Sequence, residues 1–183
     1  MGNLAGKVKS ALFSVITNTG DVVNTTRDTA KNTIVETLQG AGDVATAGLD
    51  AVSDIVDGGV QAVAEAGASV SDGVIGLVAG VVEGAKTVGI STTQATTQAA
   101  SVAVKSVAQV GGDVGNAAVA AVTGAIKVAT DIGADSAELA KDAVMAVLKT
   151  ADEMGSQVGG TVRKALLSAA SLPHDIIDAL LGK

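Results

Sequence analysis

The sequence has no cysteine, tryptophan or tyrosine, and its 183 residues include one phenylalanine, one proline and one histidine. Without cysteine, neither a disulfide framework nor a thiolate metal site can form. An ordinary globular core is not expected, because aromatic side chains usually contribute much of it. The single His174 cannot complete a serine–histidine–aspartate or cysteine–histidine site within one chain. We therefore expect a protein that is not an enzyme and that uses no cofactor or metal.

Positive charge is also scarce, with 12 lysines and arginines against 19 aspartates and glutamates and a net charge of −7. Binding to nucleic acid is not expected, because it requires clustered basic residues. The acidic balance weakens attraction to anionic lipid as well. Asp50, Asp54 and Asp57 share one side of a helix, but we interpret them as a solvated stripe, because calcium loops need glycine turns and carbonyl ligands.

Long apolar runs are absent too. The longest strongly apolar run covers residues 73–82, whereas a helix needs about 20 residues to cross a bilayer. The first residues have no apolar stretch of the kind found in secretory signals. We therefore expect no signal peptide and no transmembrane helix, and a protein that is cytoplasmic or peripheral to a membrane or lipid surface.

What the sequence does contain is a repeat of eleven residues. Every eleventh residue from Ala11 to Ile176 is apolar except Thr33. Eleven residues in three turns is 3.67 per turn, which is close to the α-helix and places the apolar residues on one face. The predicted fold class is all-α: a long amphipathic helix or an α-hairpin with an 11-residue repeat and a 22-residue super-repeat. The period predicts straight or right-handed coiled-coil packing.

The pattern divides the chain into four segments. We predict a first amphipathic helix over 1–88, a hinge or turn at 89–94, a second helix over 95–170, and a short amphipathic helix over 171–183 after Pro173. Gly89 as a left-handed C-cap and Ser91 as an N-cap would form a hairpin turn. The unbroken apolar register instead favours one continuous helix of about 240 Å. The sequence leaves both alternatives open.

Glycine is unusually frequent on the apolar face. It recurs every 22 residues from Gly67, and Gly76, Gly80 and Gly84 form a row of small residues. Because glycine lets another backbone approach closely, we predict that this face packs against copies of itself, a second arm or lipid. The predicted packing face comprises Val44, Ile55, Gly67, Gly76, Leu77, Gly80, Gly84, Gly89, Val110, Gly111, Val122, Ile132, Gly133, Val144, Gly155 and Leu166. The predicted C-terminal apolar anchor comprises Ile176, Ile177, Leu180 and Leu181.

The repeat resembles that of one group of lipid-surface proteins. Segments such as VEGAKTV at 82–88 and VAQVGGDV at 107–114 are similar to the repeats of the synuclein and perilipin families. The resemblance implies a helix that coats membranes or lipid droplets reversibly. The stripes here are acidic where those repeats are rich in lysine, which argues against anionic membranes and leaves neutral lipid or packing defects as the surface.

Two functions are therefore predicted for a non-enzymatic structural protein. In the first, the chain is a homo-oligomeric scaffold, such as a stalk, tube or filament, which contacts lipid or lipidic molecules or anchors a larger complex at a membrane. In the second, it is a reversible coat on a membrane or lipid droplet. An ice-binding helix is a minor alternative, suggested by threonines eleven residues apart such as Thr26 and Thr37.

Overall fold

The computed structural model describes residues 2–18, 20–39 and 43–181, and these form helices without any strand. The prediction of an all-α fold is thus confirmed. The helices are α1 (Gly2–Ile16), α2 (Val22–Leu38), α3 (Val44–Glu65), α4 (Val70–Val88), α5 (Thr92–Gln109), α6 (Val114–Ile132), α7 (Ser136–Met154), α8 (Ser156–Ser168) and α9 (His174–Leu181).

The prediction of one long helix, or of a hairpin of two, is wrong. The segment 1–88 contains four helices, and 95–170 contains the body of α5 followed by three more. The physical reason is a turn signal, glycine–any residue–serine or aspartate, at 67–69, 89–91, 111–113 and 133–135. The glycine that opens each signal has a positive φ, between 68° and 86°, which L-residues adopt only at a cost. Each serine or aspartate caps the next helix through its side-chain oxygen.

The turn at Gly89 shows how each helix ends. The amide of Ile90 donates to the carbonyl of Ala85 at 2.8 Å, which is the Schellman pattern, and Ser91 Oγ accepts from the amide of Gln94 at 3.3 Å. A turn is therefore present at 89–91, within the predicted 89–94, and residues 92–94 form the start of α5. The turn recurs after every two 11-residue repeats, so each new helix again has its apolar face toward the same core. For this reason the 11-residue register of apolar residues continues unbroken through the turns.

The helices pack in two layers, in which every second helix is a neighbour. Thr26, Ala30 and Ile34 of α2 face Gly76, Gly80 and Gly84 of α4. Each of these pairs is separated by 50 positions, and a constant separation means that α2 and α4 run parallel. We call α1, α3, α5, α7 and α9 the odd layer, and α2, α4, α6 and α8 the even layer.

The core lies between the two layers and is built from small aliphatic residues. Its largest fully buried side chains include Leu12, Ile34, Ile55, Leu77 and Leu139. Helix α4 is the most central element, and it packs on α2 and α6 in its own layer and on α3 and α5 in the other. The apolar arc that the repeat predicts is thus covered by other helices of the same chain. The handedness of the packing stays a prediction.

Candidate functional site

Half of the predicted packing face, eight of its sixteen residues, is buried inside the chain. Ile55, Leu77, Val122, Val144 and Leu166 are fully buried core residues. The glycine row of α4 lies against α2, where a Cβ at Gly80 would overlap the carbonyl of Arg27. Val44 and Ile132 are half-buried, and Val110 is exposed at the end of α5. The close approach that these glycines permit is therefore between helices of one molecule.

The glycines spaced by 22 residues have a different role from the one predicted. Gly67, Gly89, Gly111 and Gly133 lie in exposed turns, and Gly155 lies in the short connection between α7 and α8. No atom lies within 4 Å of where a Cβ would sit at any of them. Their assignment to the packing face is wrong, because glycine is required there for a positive φ and not for contact.

The predicted C-terminal anchor forms α9, which packs against α7 and α8. Ile177 is fully buried, and Ile176, Leu180 and Leu181 are half-buried beside the core. A groove of about 630 Å³ lies between α9 and the start of α7, with Ile176 and Leu180 among the residues that line it. This segment therefore closes part of one end of the helical stack.

A seam of hydrogen bonds joins neighbouring helices of the odd layer. Ser106 of α5 donates to the Asp57 carboxylate of α3 at 2.7 Å, and the hydroxyls of Ser101 and Thr150 lie 2.6 Å apart between α5 and α7. The second pair lies 44 positions after the first, since Ser101 corresponds to Asp57 and Thr150 corresponds to Ser106. The sequence repeat thus carries a repeated contact between helices, which fixes their register within the layer.

The even layer is held by charges instead. The Arg27 guanidinium of α2 pairs with Glu83 of α4 at 2.9 Å and with Asp131 of α6 at 2.7 Å, and Lys31 also donates to Glu83. Burial alone would raise the pKa of Glu83, but hydrogen bonds from Lys31 and Arg27 outweigh it and hold that pKa below its ordinary value. This cluster has the chemistry of a structural clamp across three helices.

Two carboxylates are less well satisfied. Asp54 and Asp142 each have an Oδ2 atom that is buried without a hydrogen-bond partner among the described residues. Burial raises the pKa of Asp54, and the charges of Asp50 and Asp57 raise it further. Burial also raises the pKa of Asp142, although the Thr93 hydroxyl partly opposes this. Protonation of either carboxylate therefore stabilises the folded chain.

The N-terminal edge of the stack exposes positions that are buried everywhere else. Ala11 of α1 is exposed, whereas the residues 44, 88 and 132 positions later, Ile55, Ala99 and Ala143, are fully buried. Val15 is 42% exposed, whereas its counterparts Gly59, Ala103 and Val147 are buried. The first helix of the odd layer thus has an apolar strip that its position at the edge leaves open.

The other edge is open as well. Val60 and Val104 are buried, but Leu148, which follows them in the same series, is only half-buried. Met145 continues the series of Phe13, Asp57 and Ser101 and is 54% exposed, while Phe13, which has α3 beside it, is 40% exposed. The groove beside α9 is lined by Ala137, Glu138 and Lys141 of α7, and Met145 and Leu148 lie beyond these residues.

Neither layer brings together a recognisable reactive group of residues. Within the described ranges, no three histidine or acidic side chains converge as metal ligands would. His174 is exposed at the start of α9. Among the described helices, none combines the length and apolarity that a bilayer span requires. Thr26 is fully buried while Thr37 is exposed, so this pair does not form a threonine row on one surface.

Comparison with known proteins adds no relative. The chain matches no family model, and neither a curated protein nor a solved structure is detectably similar to it. Sequence reasoning missed the turns at 67–69, 111–113 and 133–135, although the 22-residue glycine–serine/aspartate signal marks all of them. It also missed the two open edges, which emerge only when exposure is compared at positions 44 residues apart.

Proposed function

We propose that the protein is a non-enzymatic helical-repeat scaffold that associates with further copies of itself. The observation that carries this proposal is the apolar strip of α1, where Ala11 and Val15 are exposed at positions that are buried in α3, α5 and α7. Stacked-helix proteins need end repeats with a polar outer face to stay apart in solution. The end formed by α1 carries the exposed polar residues Lys7, Ser14 and Asn18, but Ala11 and Val15 form an apolar strip among them, and this strip favours association.

The free energy gained on association depends on the side chains at the two edges. Burying one exposed valine or methionine fully returns about 1.5–3 kcal/mol relative to leaving it in water. Val15 and Met145 are exposed apolar residues at the two edges, and Phe13 of α1 is exposed as well. Two such anchors with their neighbours can offset a good part of the entropy that association costs. We therefore expect assembly at micromolar or higher concentration, in keeping with a structural protein.

The test is the mass of the purified protein, measured by light scattering over a hundredfold range of concentration without lipid. We expect the mass to rise above the 17.6 kDa of one chain as concentration increases, with unchanged helix content by circular dichroism. A mass that stays at one chain over the whole range would contradict the proposal.

A second function, a reversible coat on neutral lipid, is favoured by one observation. The helices are separate amphipathic units joined by short connections, five of which contain a glycine with positive φ among the described residues. Opening at these turns would turn the apolar faces from the core toward a lipid surface without melting the helices. The net charge of −7 favours neutral over anionic lipid.

An engineered disulfide can test whether lipid binding requires the helices to separate, because the chain has no cysteine of its own. The double substitution Ser101→Cys and Thr150→Cys places two thiols where hydroxyls lie 2.6 Å apart, so oxidation should tie α5 to α7. If the coat requires opening, the oxidised variant should bind neutral-lipid emulsions much less than the same variant after reduction. Equal binding of both forms, or no binding by the wild type, would argue against it.

A further inference from the structure

We propose that α1 of one copy packs on the α7–α9 edge of a second copy, so that the odd layer continues from one molecule into the next. This inference rests on the proposed function, because it names the surfaces through which the scaffold associates. The occupant of each edge is thus a second copy of the same chain. The outcome is a head-to-tail chain of molecules.

Continuity with the packing inside the molecule is the first argument. In the odd layer, Asp57 and Ser101 each bond to the next parallel helix, and Met145 holds the same position in α7. Met145 is 54% exposed and lies beyond Lys141, the last residue of α7 that lines the groove beside α9. A parallel helix from another copy would restore at Met145 and Leu148 the cover that the inner helices already have.

Helix α1 fits that position in shape. Its open strip is formed by Ala11 and Val15, which are small enough to let two helix axes approach closely. On the other edge the apolar residues are Met145, which is flexible, and the half-buried Leu148. In a continued layer, the pairing of Asp57 with Ser106 would place Asn18 opposite Met145, with Val15 one turn before it. A small, rigid strip against a flexible thioether is a combination that packs without exact complementarity.

Charge is the third argument. Helix α1 carries the exposed Lys7 and no acidic residue, and its Lys9 already pairs with Glu65 of α3 at 2.6 Å. Helix α9 carries Asp175 and Asp178 and no lysine or arginine. Opposite charges therefore meet when the first helix of one copy approaches the last helix of another. The same charges repel when two identical ends meet, which selects the head-to-tail arrangement over a symmetric pair.

Because the two edges differ, the contact is heterologous, and each molecule keeps one free edge of each kind. Such contacts give open filaments unless the rotation between copies closes a ring. A symmetric dimer, by contrast, would use one edge twice and would stop at two chains. The two arrangements can be distinguished by blocking one edge at a time.

Two single variants test the interface, and a third is their control. Val15→Asp places a charge on the α1 strip, and Met145→Asp places one on the α7 edge; both positions are exposed, so the fold should be retained. Val110→Asp is the matched control, since Val110 is 37% exposed at the end of α5 and lies on neither edge. Circular dichroism and the urea midpoint verify folding of each variant.

The expected result has three parts, all measured by light scattering at a concentration where the wild type assembles. Each edge variant alone should need at least about a tenfold higher concentration to associate, because a charge must be buried. An equimolar mixture of the two variants should form a dimer of twice the single-chain mass and grow no further, since each supplies the intact edge that the other lacks. Val110→Asp should assemble as the wild type does.

Different failures point to different conclusions. If the wild type associates but neither edge variant weakens it, or Val110→Asp weakens it equally, this interface is wrong and the scaffold proposal stands. If both variants weaken association and the mixture remains monomeric, the head-to-tail arrangement is overturned. A wild type that stays monomeric at every concentration overturns the scaffold proposal, and this inference with it.

Discussion

Replacing single glycines by alanine should give opposite effects at Gly133 and Gly160. Both are exposed, and no atom lies within 4 Å of where a Cβ would sit at either position. Contact with other residues therefore cannot explain a difference between them. What differs is the backbone, because Gly160 lies inside α8, whereas Gly133 has a φ of +71° at the end of α6.

The magnitudes follow from that difference. Inside a helix, alanine is favoured over glycine by about 1 kcal/mol, so Gly160→Ala should stabilise the protein by roughly that amount. In the left-handed region, alanine costs about 1–2 kcal/mol, and the stiffer unfolded chain returns about 0.4–1 kcal/mol. Gly133→Ala should therefore lower the free energy of unfolding by about 1 kcal/mol. The two variants should differ by about 2 kcal/mol.

The assay is urea unfolding followed by circular dichroism, with the wild type and both variants measured side by side. The comparison also decides between folds, because one continuous helix through Gly133 would make the two substitutions equivalent. A higher urea midpoint for both variants would refute the turn at 133–135 and the layered fold built on it. Opposite shifts would support both.

Four further substitutions test how the layers are held. Gly80→Ala should destabilise by about 1–3 kcal/mol despite the better helix former, because its Cβ overlaps the Arg27 carbonyl; no loss in urea unfolding would contradict the close approach of α2 and α4. Arg27→Met should cost about 1–3 kcal/mol at neutral pH and less in acid, since the lowered pKa of Glu83 contributes stability that is lost as pH falls through it. Asp54→Asn and Asp142→Asn should each raise the urea midpoint at neutral pH, because the fold raises the pKa of both carboxyl groups and so disfavours their charged form. The gain should vanish below about pH 4, where the wild-type carboxyl groups are protonated in the folded and the unfolded chain alike. A constant difference from the wild type across pH would refute the assignment for any of these charged groups.

Helicity and the identity of the core residues could be predicted from the sequence. The 11-residue repeat marks one face of an α-helix wherever that helix packs, because the period depends only on the geometry of the helix. Ile55, Leu77, Val122 and Leu166 are predicted to be apolar-face residues on that ground, and they are fully buried. What the period cannot say is which surface covers the face, since copies, lipid and the same chain are all apolar.

The division into short helices was also written in the sequence, but in a signal that allows two interpretations. A glycine on the apolar face permits close packing, and the same glycine permits a positive φ. At Gly80 the first use applies, and at Gly111 the second. The serine or aspartate two residues after each turn glycine distinguishes them, because it caps the following helix.

The sequence alone thus determined that the chain is helical, which residues avoid water and where the capping signals lie, because these depend on interactions between residues close in the chain. Only the tertiary structure decided that every second helix is a neighbour, that Arg27 meets Asp131, and that Val15 and Met145 are left at open edges. Those relations join residues that are tens of positions apart. They depend on how successive turns direct each helix, and an eleven-residue pattern carries no information about that.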